Sequence, residues 1–286
     1  MSDIAHGDIM MMCIMDHCSK EKMVNAIKDS GLTAAQLSSI FPKTDDNSNT
    51  CLVNGVMSHE YGAIAGLLDF GVDMEVPCGQ SRSTALHVAC DQVDREKSVQ
   101  MLLEHGAKVD ALDYYGQTPL ANAASDDGTI VAVKLLLDHG AAINYQNLHS
   151  EFGSNTALHR AANGAAPAVV KLLLERGADA TLVNSDGKTA LQLAEDDVAE
   201  RMAEEGWKPK DLKEPKACVK LLQSPPKSAG KKAAVAGKTA TPTKTAKATA
   251  SKPGAKAAKA APGAAAPKKA AKKAAVAPAK KGGKKK

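Results

Sequence analysis

The chain has 286 residues, of which 44% are apolar, and it is therefore long enough to bury a sizeable core. Its net charge of +5 combines two unlike segments: residues 1–223 carry 32 acidic and 19 basic side chains, whereas residues 224–286 carry 18 lysines and no acidic side chain. Six scattered cysteines with no signal-peptide pattern before them argue against a disulfide framework, so we expect reduced thiols and no membrane span.

Two short apolar stretches, "DIMMMCIMDHC" and "KEKMVNAIKDSG", open the chain, and the second ends at Gly31. Their spacing predicts a pair of helices, with the glycine as a stop signal. We interpret residues 1–49 as an N-terminal helical cap. The sulfur and imidazole groups of this segment match no standard zinc spacing, so we expect a methionine-rich capping core and no metal site. The groups in question are His6, Cys13, His17 and Cys18.

One eight-residue motif recurs through the middle of the chain as "STALHVAC", "QTPLANAA", "NTALHRAA" and "KTALQLAE". Each of the first three copies precedes a leucine-rich segment that ends at a glycine, as in "VKLLLDHGA", and a weaker copy begins at Thr50. This pattern predicts two short helices per unit. The motif threonines are Thr84, Thr118, Thr156 and Thr189.

These recurring positions resemble the ankyrin repeat, whose Thr-Pro-Leu-His-x-Ala signature has a period of about 33 residues. The resemblance covers residues 50–194 and implies an all-α solenoid of stacked helix-turn-helix units, with projecting β-turns and a role in protein binding. It also implies that the motif residues hold neighbouring units together, because the family's histidine links its own threonine to the next unit's backbone. The expected stacking residues are Thr84, His87, Thr118, Thr156, His159 and Thr189.

Cys90 lies three residues after His87, a spacing that a thiolate nucleophile and its base could share on one helical face. The repeat register argues against this chemistry, because the histidine recurs at His159 whereas the cysteine does not recur. The chain also has no phosphate-binding loop and no Gly-x-Ser-x-Gly motif. We therefore expect no catalytic residue, no cofactor and no enzymatic activity.

The last motif copy differs from the others, because its "VKLL" segment comes about fifteen residues late, after the insertion "EEGWKPKDLKEP". We interpret residues 50–223 as about four repeats and an expanded C-terminal capping unit.

The turns between units vary in length, and the longest, residues 144–155, has four more residues than the shortest. Insertions in repeat arrays usually fall on the binding face, and aromatic rings dominate interface energetics. Four of the eight aromatic residues lie in the two central turns. Packing against a neighbouring turn is the alternative for these rings, most of all for Tyr145. The residues that we expect to bind a partner are Tyr114, Tyr115, His149 and Phe152.

Residues 224–286 consist almost entirely of Ala, Lys, Pro, Thr and Gly, a composition that predicts disorder. The segment resembles linker-histone C-terminal tails in composition and in two Ser/Thr-Pro-x-Lys tetrads, which make Ser224 and Thr241 candidate phosphorylation sites. Lysines neutralise phosphates without reading bases, so any nucleic-acid binding should be independent of sequence. The clustered lysines are Lys268, Lys269, Lys272, Lys273, Lys280, Lys281, Lys284, Lys285 and Lys286.

The sequence thus predicts a monomeric, non-catalytic scaffold that binds an unidentified protein through turn tips and the concave face. In this hypothesis the tail tethers the chain to DNA, RNA or another polyanion. The alternative is a chromatin- or RNA-associated protein whose main activity resides in the tail, and a third possibility is a tail that binds its own acidic body. The lysine clusters favour the nucleus over the cytoplasm.

Overall fold

The computed structural model describes residues 9, 12–13, 18–38, 49–146, 153–203 and 212–225. The chain divides into two units, residues 1–237 and 238–286, and every described residue belongs to the first. Most of the predicted tail, from residue 226 onwards, lies outside the described residues.

Helices form all of the regular structure in the described part of the chain, apart from single bridges between Cys78 and Ser83 and between Val183 and Thr189. The all-α class is therefore confirmed. The helices are α1 (Lys20–Ser30), α2 (Ala34–Leu37), α3 (Cys51–Met57), α4 (Tyr61–Phe70), α5 (Ala85–Cys90), α6 (Glu96–Glu104), α7 (Pro119–Ala123), α8 (Ile130–Asp138), α9 (Ala157–Asn163), α10 (Pro167–Glu175), α11 (Ala190–Ala203) and α12 (Lys213–Gln223).

Helices α3 to α12 form five consecutive pairs, which we number repeat 1 (α3 and α4) to repeat 5 (α11 and α12). The motif threonines precede the first helices, where Thr118 Oγ1 accepts a hydrogen bond from the Ala121 N–H at 3.3 Å. A glycine follows most of the second helices, as at Gly106, whose φ of 87° lies in the left-handed region. The sequence therefore defines both ends of the helix pairs in repeats 1 to 4.

Neighbouring repeats pack layer on layer. Each first helix contacts the first helix of the next repeat, and each second helix contacts the next second helix. The side chains between the two layers are almost completely buried, with one large leucine recurring in each first helix from repeat 1 to repeat 4. These leucines are Leu52, Leu86, Leu120 and Leu158. The stacked arrangement that the sequence predicts is confirmed.

A ladder of hydrogen bonds joins the turns that follow the second helices. The side chain four positions after the closing glycine of one repeat accepts the backbone N–H two positions after the closing glycine of the next. Because a backbone N–H needs a partner wherever it is shielded from water, each rung fixes the spacing between two turns. The rungs are Glu75 to the Lys108 N–H at 2.8 Å, Asp110 to the Ala142 N–H at 3.0 Å, and Asn144 to the Asp179 N–H at 2.9 Å.

The N-terminal cap covers the exposed side of repeat 1. Helix α1 lies against α4, and its Met23 and Ile27 side chains are fully buried. Close approach requires glycine in α4: a Cβ on Gly66 would lie 2.7 Å from Met23 Cγ, and a Cβ on Gly62 would overlap the Cys18 carbonyl oxygen. The Glu60 carboxylate accepts the Cys18 N–H at 3.0 Å, which anchors the start of the cap helix.

Repeat 5 closes the other end with longer helices. Helix α11 has 14 residues, against five to seven in the other first helices, and α12 packs against α10 and α11. Residues 213–215 of the insertion predicted within this unit belong to α12. The middle of the insertion lies outside the described residues.

We expect Gly66→Leu to lower the free energy of unfolding by about 1–3 kcal/mol, because the added atoms displace Met23 and separate α1 from α4. Urea unfolding measures this loss, and limited proteolysis between residues 31 and 50 reports release of the cap. Val131→Leu, an enlargement at an exposed position of α8, is the control and should change neither measurement. Equal effects of the two substitutions would contradict this account of the cap.

Candidate protein-binding groove

The first helices and the turns enclose a groove of about 680 Å³ that extends from repeat 1 to repeat 4. Its walls are mainly polar, and both acidic and basic side chains line it. The polar and charged residues that line it include Ser81, Asp91, Arg95, Tyr115, Asn122 and Arg160. The groove thus presents charge and hydrogen-bonding groups along four repeats.

Two adjacent tyrosines occupy the tip of the turn between repeats 2 and 3. Their rings meet edge to face with centroids 5.5 Å apart, and Tyr114 is 58% and Tyr115 38% exposed. Tyr115 lines the groove, whereas Tyr114 lines a second hollow of about 500 Å³ beside the exposed Leu112. The Tyr114 N–H donates to the Ser81 carbonyl at 2.7 Å, which fixes this tip to the preceding turn. Each of the two hollows is therefore lined by one of the two tyrosine rings.

Of the two other aromatic residues in the central turns, the structure describes only Tyr145. Tyr145 is half-buried, and burial raises the pKa of its phenol. The two further residues predicted to bind a partner, His149 and Phe152, lie outside the described residues.

His87 connects repeat 2 to repeat 3 through both ring nitrogens. Its Nδ1 lies 2.9 Å from Thr84 Oγ1, and its Nε2 lies 3.1 Å from the Gln117 carbonyl oxygen. A carbonyl only accepts hydrogen bonds, so Nε2 carries the proton and Nδ1 accepts the Thr84 N–H at 3.3 Å. Burial lowers the pKa of His87, although the Gln117 carbonyl opposes this shift, and the ring remains neutral.

His159 makes the same connection between repeats 4 and 5. Its Nδ1 lies 2.8 Å from Thr156 Oγ1, its Nε2 lies 3.1 Å from the Lys188 carbonyl oxygen, and burial lowers its pKa. Repeat 5 has Gln192 at this position, and the Gln192 Oε1 accepts the N–H of its own threonine, Thr189, at 2.8 Å. The glutamine therefore reproduces the hydrogen bond within the repeat.

Repeat 3 has Ala121 at the histidine position, so its junction with repeat 4 is held differently. The Asp127 carboxylate accepts the N–H groups of Ala168 and Val169 at 3.1 and 2.9 Å, at the start of α10. Helix α10 has no side-chain cap from its own preceding residue, so the Asp127 carboxylate of the neighbouring repeat caps its N-terminus instead. Sequence reasoning did not identify Asp127, because the motif alignment does not extend to this position.

The geometry around Cys90 does not suit nucleophilic chemistry. Cys90 is fully buried, and burial raises the pKa of its thiol far above the usual range, so the thiolate is disfavoured. Both nitrogens of His87 already bind Thr84 and Gln117, which leaves no base for the thiol.

The described residues contain no cluster of three or more His, Cys, Asp or Glu side chains arranged to hold a metal ion. Of the four possible ligands in the N-terminal cap, Cys13 is buried and Cys18 half-buried, whereas His6 and His17 lie outside the described residues. No helix in the described ranges is both long and apolar enough to span a membrane.

Ser224, the first candidate phosphorylation site, is exposed at the C-terminal end of α12. Thr241 and the clustered lysines of the tail lie outside the described residues.

Comparison with known proteins gives two family matches, both described as ankyrin repeats, over residues 52–147 and 147–194. The chain is 38% identical over 124 residues to the B-cell lymphoma 3 protein homolog of Mus musculus, covering 43% of this chain and 26% of that protein. It is 35% identical over 101 residues to the putative E3 ubiquitin-protein ligase XBAT34 of Arabidopsis thaliana, covering 35% and 26%.

A third similar protein is the transient receptor potential cation channel subfamily A member 1 homolog of Caenorhabditis elegans. It is 26% identical over 152 residues, which cover 53% of this chain and 12% of the channel protein. The chain therefore aligns with about a quarter or less of each of these three relatives.

We expect His87→Gln to lower the free energy of unfolding by about 1–2 kcal/mol near pH 7.5, because the link to the Gln117 carbonyl is lost. Gln192 indicates that glutamine preserves the bond within the repeat. Because burial lowers the folded-state pKa of His87 below 6.5, its stabilising contribution is complete above pH 6.5 and declines as the pH falls.

Urea unfolding at several pH values from about 7.5 to 5.5 measures both effects. The difference in the free energy of unfolding between the unsubstituted protein and His87→Gln should become smaller as the pH falls below 6.5. His139→Gln, at an exposed histidine, is the control and should have little effect on stability. If this difference in unfolding free energy stays constant across the pH range, the conclusion that burial keeps the His87 ring neutral would be wrong.

Proposed function

Since the chain belongs to the ankyrin-repeat family, we propose that it is a non-catalytic adaptor that binds a protein partner through its turn tips and groove. The observation that carries the proposal is the exposed tyrosine pair at the boundary between two hollows. Tyrosine provides a large contact area and loses little side-chain entropy on binding, so such rings dominate many interfaces. Tyr114 and Tyr115 are the central contacts, and His149 and Phe152, which lie outside the described residues, are predicted from the sequence to contact the same partner.

The similarity to these relatives supports a role in partner binding, but it does not extend to the activities of the whole proteins. The E3 ubiquitin-protein ligase and the channel homolog align with this chain over 26% and 12% of their length. Ankyrin repeats are typically non-catalytic. Ligase or channel activity therefore does not enter the proposal.

The second part of the proposal concerns residues 224–286. Their 18 lysines and lack of acidic residues favour binding to DNA, RNA or another polyanion, with the nucleus as the location. Phosphorylation at Ser224 or Thr241 would reduce the positive charge and weaken this binding. In the alternative function, this nucleic-acid binding is the main activity and the repeats only dock the protein.

Tyr114→Ala and Tyr115→Ala are expected to reduce recovery of partner proteins in an affinity pull-down by about tenfold or more, because each substitution removes a central aromatic contact. Mass spectrometry of the bound fraction measures this recovery. Val183→Ala, at an exposed position of the repeat 5 turn, is the matched control. Full retention of every partner by folded Tyr114→Ala and Tyr115→Ala proteins would contradict the proposed surface.

Replacing the nine clustered tail lysines by glutamine should weaken binding to a double-stranded DNA of random sequence. It should also flatten the dependence of log K on log salt, because fewer counterions are released. Fluorescence anisotropy across a salt series measures both quantities. The control replaces Lys108, Lys134 and Lys171 of the repeats and should leave the slope unchanged. Unchanged DNA binding after the tail replacement would contradict the role of the tail.

A further inference from the structure

Two exposed cationic side chains line the second hollow, which lies between the turn before repeat 2 and the turn before repeat 3. They are Arg82 of the first turn and Lys108 of the second. Neither side chain forms an ion pair with a carboxylate of the described residues, whose ion pairs involve other cations. Both charges are therefore accessible to a ligand from the solvent.

The two turns are in direct contact. The Tyr114 N–H donates to the Ser81 carbonyl at 2.7 Å, and Arg82 is the next residue in the chain. The Glu75 carboxylate accepts the Lys108 N–H at 2.8 Å. The hollow has a volume of about 500 Å³, within the range of roughly 300–1,000 Å³ that is usual for ligand sites. Side chains from both turns thus line one compact site.

Arg82 has a backbone conformation that arginine rarely adopts. Its φ of 50° lies in the left-handed region, and two hydrogen bonds between Cys78 and Ser83 fix the turn on either side. The same position, two residues before the motif threonine, is Gly116 in the next turn and Gly187 before repeat 5, with φ of 69° and 71°. A Cβ strains the backbone in this region, whereas glycine does not. Strained residues concentrate at functional sites, which indicates that the Arg82 side chain serves in binding.

Apolar side chains form part of the wall of this hollow. Leu112 is 48% and Tyr114 58% exposed, and Pro77 and Ala111 line the hollow beside them. Large apolar groups that remain accessible to water favour contact with apolar groups of a partner. A ligand that combines an anionic group with an apolar group therefore matches the hollow.

Two acidic side chains also line the hollow, and they decide between possible anions. The Glu75 and Asp113 carboxylates are half-buried, and each accepts a backbone N–H at 2.8 Å. Together with the excess of acidic over basic side chains before the tail, they repel a polyanion such as RNA. A single carboxylate at the exposed Arg82 meets much less repulsion. The favoured anion is therefore an acidic side chain of a protein.

We propose that the second hollow binds a segment of a partner protein in which an aspartate or glutamate lies next to a large apolar side chain. The carboxylate pairs with Arg82, and Lys108 adds a second positive charge to the same hollow. The apolar side chain packs on Leu112 and Tyr114. This inference rests on the proposed function, because it specifies what one side of the tyrosine tip recognises.

The test selects ligands without assuming their sequence. A phage library of random short peptides is first passed over the full chain with Arg82→Gly and is then selected on the unsubstituted full chain. Both chains carry the lysine tail, so the first passage removes peptides that the tail binds. We expect the enriched peptides to share an aspartate or glutamate beside a large apolar residue. Enrichment of peptides without an acidic residue, or no enrichment at all, would overturn the proposal.

Fluorescence anisotropy measures the affinity of the most enriched peptide for the full chain. Replacing its acidic residue by the matching amide, or Arg82 by glycine, should weaken binding by about tenfold, because a charge-assisted hydrogen bond is lost. Lys108→Gln should weaken binding by about threefold. Lys134→Gln, the same change at an exposed lysine outside the hollow, should have no effect. Equal effects of the two lysine substitutions would indicate a general charge effect and would overturn the proposal.

Thermal unfolding separates loss of the side chain from loss of the fold. Arg82→Gly relieves the backbone strain, so its unfolding midpoint should stay the same or rise. A lower midpoint would contradict the strained turn on which the inference rests. If Arg82→Gly weakens binding of an oligouridine RNA but not of the peptide, the hollow binds nucleic acid and the proposal is overturned.

Failure of this inference is distinguishable from failure of the proposed function. If the tyrosine variants lose their partners while no enriched peptide depends on Arg82, only the inference fails. If peptide binding depends on Arg82 but the tyrosine variants keep every partner, the hollow still binds acidic segments and the proposed tyrosine surface fails.

Discussion

Burial of apolar side chains between neighbouring repeats is the constraint on which the rest of the structure depends. The first helices of repeats 1 to 4 have five to seven residues, far fewer than an isolated helix needs in water. Leu86 and Leu120 are shielded only because another repeat lies on each side. The two ends of the array therefore need covering units, and Gly66 allows α1 to approach closely enough to provide one.

Polar interactions set the register of the stack, and the junctions between repeats use different ones. His87 and His159 join a threonine to the backbone of the next repeat, whereas Asp127 serves the junction between repeats 3 and 4, where repeat 3 has no histidine. The turn ladder is present at all three junctions among repeats 1 to 4. Because each repeat contacts mainly its neighbours, loss of one polar link should act locally. This arrangement allows the central turns to vary in length while the helices remain in register.

The period, the helix pairs and the glycine stops were predictable from the sequence because they depend on residues close together in the chain. The turn ladder was not, since Glu75, Asp110 and Asn144 look like ordinary solvent-exposed turn residues until the next repeat is in place. The Nε atoms of Arg95 and Arg160 that lack a hydrogen-bond partner were equally unpredictable, because the pairing of buried donors is a property of the packed structure. The sequence shows that Tyr114 and Tyr115 share one turn between repeats. It does not show that the two rings line different hollows, because the hollows form only between folded turns.

The charge distribution separates the two kinds of binding that we propose. Binding of a polyanion by the tail releases counterions, so added salt weakens it steeply. Partner binding through the tyrosine tip should therefore change less with salt than tail binding, because the tyrosine side chains are uncharged whereas tail binding depends on the summed charge of many lysines.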